Sequence, residues 1–142
     1  MATLLQVQYI NDDTIQNVAI PNGVWTDIPG LAVTITPTSA TSVIEISANI
    51  AVAETNINRG YIRFSRNGVG IGVGTGGLGV PAYARYNNQY FASYLYVDSP
   101  ASTLALTYQL QFYSTGGNTE RFNSDNTNSY SGVTTIVCRE IG

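Results

Sequence analysis

Few side chains in this sequence could carry out catalysis. The chain has no His, so the commonest general base and the commonest metal ligand are missing. It also has no Lys, which removes the Ser–Lys alternative for activating a nucleophile. The single cysteine, Cys138, lies in a strand-like alternation, and we predict that it packs as a small hydrophobic residue. We therefore expect no nucleophilic catalysis.

Acidic residues offer two weaker possibilities. A pair of carboxylates can hydrolyse a glycosidic bond, and the candidates are Asp12, Asp13, Glu54 and Asp125. All four lie in loop-like stretches with no evident apolar pocket to raise a pKa. A calcium site on Asp12 with Asp13, or on Asp125 with Asn123, would need six or more oxygen ligands, and no loop has EF-hand spacing. The sequence therefore predicts no enzyme, no catalytic residue, no metal site and no cofactor.

A glycine-rich stretch has the spacing of a dinucleotide-binding motif. Residues 72–77 (GVGTGG) match the pattern G-x-G-x-x-G. That motif holds a pyrophosphate only where a helix follows it, whereas Pro81 and a Tyr-rich, strand-like segment follow here. We interpret the stretch as a tightly turned loop.

Composition and charge exclude two classes of partner. Charged residues make up 11% of the chain, the net charge is −3, and the six Arg are scattered. A nucleic-acid partner would need a basic stripe, so we expect none. No apolar run approaches the ~18 residues of a membrane span, and the N-terminus lacks a secretory signal. We expect no membrane contact and synthesis in a cytoplasm.

Period-two alternation of apolar and polar residues is the main structural signal. It is clearest over residues 44–52 and 104–112, whereas helical spacing is nearly absent. Turn-forming residues separate such runs, including Pro29-Gly30 and the tight-hairpin pair Asn67-Gly68. We predict an all-β fold, a two-sheet antiparallel β-sandwich or jelly roll of seven to nine strands. Residues 1–142 are predicted to form a single domain.

Clustered tyrosines indicate an interface. The chain has ten Tyr, and both faces of residues 89–97 carry large side chains, so a second sheet or another subunit must cover them. Alternate Tyr could fill the core, or they could form contacts with protein or sugar. Low charge and the absence of Lys favour oligomerisation over a free monomer.

Four stretches of the chain resemble bacteriophage, especially cyanophage, virion domains. These stretches are residues 27–46 (DIPGLAVTITPTSATSVIEI), 59–68 (RGYIRFSRNG), 98–103 (DSPAST) and 135–141 (TIVCREI). Such domains occur at the tips of tail fibres and spikes and in related bacterial proteins. The chain departs from the family pattern at Val43, where Lys is common, and at Arg139, where Met is common.

The resemblance implies a β-sandwich that assembles as a homotrimer without a cofactor. Because the predicted sandwich begins near Met1, with no heptad repeat or shaft before it, we expect a decoration or cement protein on the outer capsid surface. Its partners would be two further copies, the major capsid protein and, weakly, a host surface glycan. The alternative is a tail fibre or tailspike tip that recognises a host surface polysaccharide.

Two sets of residues are predicted to form contacts. The N-terminal segment, residues 1–20, is expected to touch the capsid or a neighbouring subunit, and a central Tyr face is expected at or beside the trimer axis. The predicted trimer or capsid interface is Leu5, Val7, Tyr9, Tyr90, Tyr94 and Tyr96. The predicted exposed-loop contact is Asn123, Asp125, Asn126, Asn128 and Tyr130.

Overall fold

The computed structural model describes residues 1–54, 60–73, 80–82, 90–124 and 131–142. These residues form eleven strands: β1 (Leu4–Asp12), β2 (Gln16–Ile20), β3 (Thr26–Ile35), β4 (Val43–Glu54), β5 (Gly60–Arg66), β6 (Val69–Ile71), β7 (Val80–Ala82), β8 (Tyr90–Asp98), β9 (Leu106–Ser114), β10 (Asn118–Phe122) and β11 (Thr134–Ile141). Among the described residues, no helix is long and apolar enough to cross a membrane.

The strands form two antiparallel sheets. In the first sheet, β4 lies at the centre, with β11 and then β1 on one side and β8 on the other. The far end of β4 pairs with β10, which pairs with β2. The second sheet has the order β3-β9-β5, and both β6 and β7 pair with β5. The predicted all-β, two-sheet antiparallel sandwich is confirmed.

Alternating side chains from both sheets fill the space between them. From the first sheet, β4 contributes Ile44, Ile46 and Ile50, and from the second sheet β9 contributes Tyr108 and Phe112. All five are fully buried, as period-two alternation predicts for residues on one face of a strand. The predicted alternation is wrong at one end of β9, because Leu104 lies outside that strand and is exposed.

The glycine-rich segment corrects the predicted strand count. Two short strands, β6 and β7, lie before and after residues 72–77, so the described residues form eleven strands where seven to nine are predicted. Asn67 and Gly68 join β5 to β6 with positive φ of 48° and 87°, which confirms the predicted tight hairpin. Residues 74–79 of the dinucleotide-like motif lie outside the described residues.

Pro29-Gly30 does not end a strand. The pairing of β3 with β9 shifts between Asp27 and Ala32, so the intervening residues form a bulge inside β3. Gly30 supplies the positive φ of 76° that this bulge requires. The bulge turns both Ile28 and Leu31 into the core, where each is fully buried.

The two chain ends are hydrogen-bonded to each other. The Thr3 amide donates to the Gly142 carbonyl at 2.8 Å, and the Gly142 amide donates to the Thr3 carbonyl at 2.9 Å. These bonds extend the antiparallel β1–β11 ladder by one pair beyond Leu4 and Ile141. Both ends of the chain therefore lie at the same corner of the sandwich.

Candidate assembly surface

The outward face of the first sheet brings together side chains from β1, β11, β4 and β8, and we call it the assembly surface. The strand registers align these side chains in rows across the sheet. One row is Tyr9, Val137, Ser47 and Leu95; the second is Val7, Arg139, Glu45 and Val97; the third is Asn11, Thr135, Asn49 and Ser93. The surface therefore spans the full width of this part of the sheet.

Exposed apolar side chains border the assembly surface on both sides. The β1 border consists of Leu5, Val7 and Tyr9, and the β8 border consists of Phe91, Leu95 and Val97. Leu95 is 70% exposed and Tyr9 is 64% exposed. Isolated exposed apolar residues are normal, but two aligned sets along one face make this face the candidate contact surface.

The middle of the assembly surface is polar. Arg139 forms an ion pair with Glu45 at 2.9 Å and donates to the Ser47 hydroxyl at 3.0 Å. Thr135 and Ser93 donate to neighbouring Asn side chains at 2.8 and 3.0 Å. A shallow groove of about 370 Å³ runs over this region. Because these polar groups bond to each other, contact energy would come from the apolar borders, while the polar centre would set the register of a partner.

A buried carboxylate holds β1, and with it the β1 border, against the sandwich. Gln6 donates to the Glu140 carboxylate at 2.6 Å, and the Thr38 amide and hydroxyl donate to it at 2.7 and 2.8 Å. Burial alone would raise the pKa of Glu140, but these hydrogen bonds to the charged form outweigh it and lower the pKa to about 2. Glu140 is therefore charged at neutral pH and joins β1 to the segment before β4.

At the opposite side, Asp98 fixes the end of β8. Its carboxylate accepts bonds from the Arg66 guanidinium at 2.8 and 2.9 Å and from the Tyr108 hydroxyl at 2.7 Å. Burial together with this bond to Asp98 raises the pKa of Tyr108. The inward contacts of Asp98 anchor β8 with its odd-numbered apolar residues, Phe91, Leu95 and Val97, facing outward.

The predicted Tyr face of β8 faces inward rather than toward a trimer axis. Tyr94 is only 4% exposed and packs on Phe64 with ring centroids 4.9 Å apart. Burial raises the pKa of Tyr94 to about 12. Tyr96 is half-buried and packs against the same core, and the side chain of Tyr90 lies outside the described part of the chain. The assignment of Tyr94 to the interface is therefore wrong, because the pairing of β8 with β4 turns this face into the core.

Asn123 also differs from its predicted place. The sequence predicts Asn123 in an exposed contact loop, but it is fully buried with a positive φ of 58°. Its side-chain amide donates to Asp12 and to the Thr14 carbonyl, and its oxygen accepts from Thr134. The other predicted loop residues, Asp125, Asn126, Asn128 and Tyr130, lie outside the described residues.

Sequence reasoning missed the β8 border. Residues 89–97 carry large side chains on both faces, so the alternation indicated an apolar contact face without showing which set was outward. The residue that separates the two sets is Asp98, which shares its face with Tyr94 and Tyr96 and bonds to the half-buried Arg66 and the buried Tyr108. The residues of the β1 border, in contrast, are among the predicted contact residues, and their role in contact stays a prediction.

The candidate catalytic and metal-binding groups have structural contacts. The Asp12 carboxylate accepts bonds from the Thr14 amide and from the Asn123 side chain, so it closes the turn after β1. Cys138 is fully buried, and burial raises the pKa of its thiol to about 12, which confirms its predicted packing. Within the described ranges, no three His, Cys, Asp or Glu residues group as metal ligands would. The side chains of Glu54 and Asp125 lie outside the part of the chain that the structure describes.

The fold belongs to the class of two-sheet β-sandwiches, and similar sandwiches occur in proteins of viral particles. The chain resembles VP2 in a subviral particle of infectious bursal disease virus, with a TM-score of 0.50 and 9% identity over 96% of this chain and 38% of VP2. It resembles a chain of the T13 viral particle of the same virus, with a TM-score of 0.51 and 7% identity over 98% of this chain and 38% of that one.

A mutant VP2 in derived T=1 particles gives a TM-score of 0.50 and 8% identity, over 96% of this chain and 37% of that one. The chain thus spans less than two fifths of the length of each of these viral proteins. At such low identity the similarity shows the fold alone. No family model and no curated protein matches the sequence.

Proposed function

We propose that this chain is a non-enzymatic structural protein of a virion, a homotrimeric decoration protein on the outer capsid surface. The observation that carries the proposal is the assembly surface, a continuous sheet face with exposed apolar residues along both borders. The shared fold with proteins of viral particles supports a place in a virion, and the resemblance to phage virion domains supports a trimer.

The two borders would serve two partners. The β8 border belongs to the edge strand β8, so a second copy can cover its apolar residues and align with its edge. The β1 border lies on the opposite edge strand, which Glu140 ties to the sandwich, and it would contact the major capsid protein. Burial of apolar area at both borders would link neighbouring capsid subunits.

The role of the β8 border is tested by the mass of the protein in solution. Leu95→Asp places a charge in the middle of this border, and we expect it to convert a trimer into a monomer with unchanged circular dichroism. Leu104→Asp is the matched control, since Leu104 is 75% exposed and lies outside the assembly surface, and it should leave the trimer intact. A wild-type monomer by analytical ultracentrifugation, or a trimeric Leu95→Asp variant, would contradict this role.

The place in the virion is tested by labelling intact particles with specific antibody fragments for electron microscopy. Label distributed over the whole head at many copies is the expected result. Label confined to the tail would reject decoration and favour the fibre-tip alternative. Particles without label would reject both roles.

A further inference from the structure

Two edge strands, β1 and β8, lack the features that normally keep a strand edge from pairing with another chain. Among the described residues, β1 pairs only with β11 and β8 pairs only with β4, so each strand has one open edge. Both strands are nine residues long, and neither contains Pro or a charged residue before its last position. Long edges without Pro or charge are the ones that recruit a further strand.

The other edge strands in the described part of the chain are short or interrupted. In the second sheet, β3 carries the Pro29-Gly30 bulge, and at the opposite edge β6 and β7 are three residues long. In the first sheet, β2 is five residues long. Short and bulged edges pair poorly with a further strand. This contrast distinguishes β1 and β8 as the edges that can accept a partner strand.

The hydrogen bonds between the chain ends show which backbone groups lie on the open edges. Gly142 exchanges both of its backbone bonds with Thr3, so by the alternation of an antiparallel ladder Cys138 also directs its amide and carbonyl toward β1. The same alternation continues through the unshifted registers of β11, β4 and β8. It leaves Tyr9 in β1 and Leu95 in β8 with their amides and carbonyls directed at the open edges.

Strand direction decides which two edges can meet. The successive antiparallel pairings from β1 through β11 and β4 to β8 make β1 and β8 run in opposite directions within one copy. Pairing β8 with β8, or β1 with β1, needs a twofold axis and gives a dimer that keeps two open edges. Antiparallel pairing of β8 with β1 uses both edges of every copy. It closes into a ring when successive copies are rotated about an axis parallel to the strands, by a third of a turn for a trimer.

We propose that β8 of each copy pairs with β1 of the next copy, so that the first sheets of three copies form one continuous ring of strands. The proposal rests on the proposed homotrimer and specifies its contact. The register that continues the rows of the assembly surface pairs Leu95 with Tyr9, Val97 with Val7 and Ser93 with Asn11 of the next copy. Apolar side chains then face apolar ones, and polar side chains face polar ones. A shift of two residues in either direction would place Phe91 or Leu95 against Asn11.

This pairing is compatible with the proposed contact between the β1 border and the major capsid protein. It uses the backbone of β1 and leaves the outward side chains of that strand on the surface. At each junction the β8 border of one copy and the β1 border of the next lie side by side as one apolar strip. The cross-strand contacts within the strip cover part of the β8 border, as the proposed function requires.

Engineered disulfides test the pairing. Facing residues of an antiparallel pair have Cα atoms about 4.5–5.5 Å apart, which a disulfide can bridge. A chain with both Val7→Cys and Val97→Cys should therefore oxidise to a covalent trimer on non-reducing gels. Within one copy β11 and β4 separate the two positions by about 14 Å, so the bond can form only between copies. The native Cys138 is fully buried and does not compete.

A second pair and a matched control fix the register. Tyr9→Cys with Leu95→Cys belongs to the same register and should give the same covalent trimer. Val7→Cys with Ser93→Cys uses the same two strands and exposed positions, but it places the cysteines about 13 Å apart along the strands. This control should run as a monomer on the same gels.

The mass of the wild type in analytical ultracentrifugation separates failure of the pairing from failure of the proposed function. A wild-type trimer in which neither matched pair cross-links, or in which the control cross-links equally, would overturn the pairing while the proposed trimer stands. A covalent dimer from Val97→Cys alone would mean that β8 pairs with β8, and it would also overturn the inference. A wild-type monomer would overturn both proposals.

Discussion

At the scale of single residues, Asn123 joins four segments of the chain at one end of the first sheet. Its side chain bonds to Asp12 at the end of β1, to Thr14 just after that strand, and to Thr134 at the start of β11. Its backbone amide donates to the Ala51 carbonyl in β4 at 2.9 Å. Every polar group of this buried amide side chain has a partner, so the residue stabilises the fold instead of costing desolvation energy.

Replacing Asn123 should therefore lower the free energy of unfolding. In Asn123→Ala three side-chain hydrogen bonds are lost and a left-handed backbone conformation must be held by Ala, for a cost of about 3 kcal/mol in the free energy of unfolding. Asn123→Gly tolerates the positive φ and should recover about 1 kcal/mol of that loss. Urea denaturation of the three proteins measures both values. A cost for Asn123→Ala no larger than that for Asn123→Gly would show that the backbone conformation contributes nothing.

At the scale of elements, the bulge in β3 leaves backbone carbonyls that a side chain must satisfy. Gln109 of β9 donates to the Ile28 carbonyl at 2.7 Å and to the Leu31 carbonyl at 3.2 Å. In this way one amide replaces the ladder bonds that the shifted register removes. The bulge in turn lets both Ile28 and Leu31 reach the core from a single strand.

We predict that Gln109→Ala lowers the free energy of unfolding by about 2 kcal/mol, because two carbonyls lose their donor. Thr107→Ala, on the same face of β9, removes only an exposed hydroxyl contact with Thr34 and should cost less than about 0.5 kcal/mol. Thermal unfolding of both variants tests the difference. Equal costs would mean that water satisfies the bulge carbonyls as well as Gln109 does.

The strands themselves could be predicted from sequence better than their irregularities. Period two over residues 44–52 and 106–112 reports burial directly, since one face of each strand lies in a continuous core. Pro29-Gly30 serves equally well in a turn and in a bulge, and only the pairing of β3 with β9 distinguishes the two. The sequence likewise does not show which residues of β8 face outward. Both the odd-numbered and the even-numbered residues are largely apolar, and the pairing of β8 with β4 decides which of them enter the core.

At the scale of the whole molecule, a buried carboxylate makes stability depend on pH. The pKa of Glu140 is lowered to about 2 from an ordinary value near 4.5. A lowered pKa stabilises the folded state at any pH above the ordinary value, and that contribution is lost as the pH falls from about 4.5 toward 2. Since Glu140 ties β1 to the sandwich, acid would loosen the β1 border together with the fold.

Glu140→Gln tests this linkage. At pH 7 the variant should lose about 2 kcal/mol of unfolding free energy, because the amide presents a donor to Gln6 or Thr38 where the carboxylate accepted. Between pH 5 and pH 2.5 the wild type should lose stability more steeply than the variant, so that the two curves converge. Parallel curves over this range would contradict the lowered pKa of Glu140.

The candidate surfaces were less accessible to sequence reasoning than the fold. Leu5, Val7 and Tyr9 were predicted from their alternation, and the structure exposes all three on β1, while their role in contact stays a prediction. The contacts among Trp25, Tyr61 and Tyr113 were not predicted, because these residues are far apart in sequence and only the strand order of the second sheet makes them neighbours. Long-range pairing of this kind leaves no local pattern.

The hydrogen-bonded chain ends have a mechanical consequence. Thr3 and Gly142 lie together at one end of the β1–β11 ladder, so a force that pulls the two ends apart loads a single pair of hydrogen bonds at a time. The hydrogen bonds of the ladder then break one pair after another, at a lower force than is needed to break them all at once. Tension applied across the outer faces of the two sheets is shared among many strands at once. The direction of an applied force therefore decides how strongly the fold resists it.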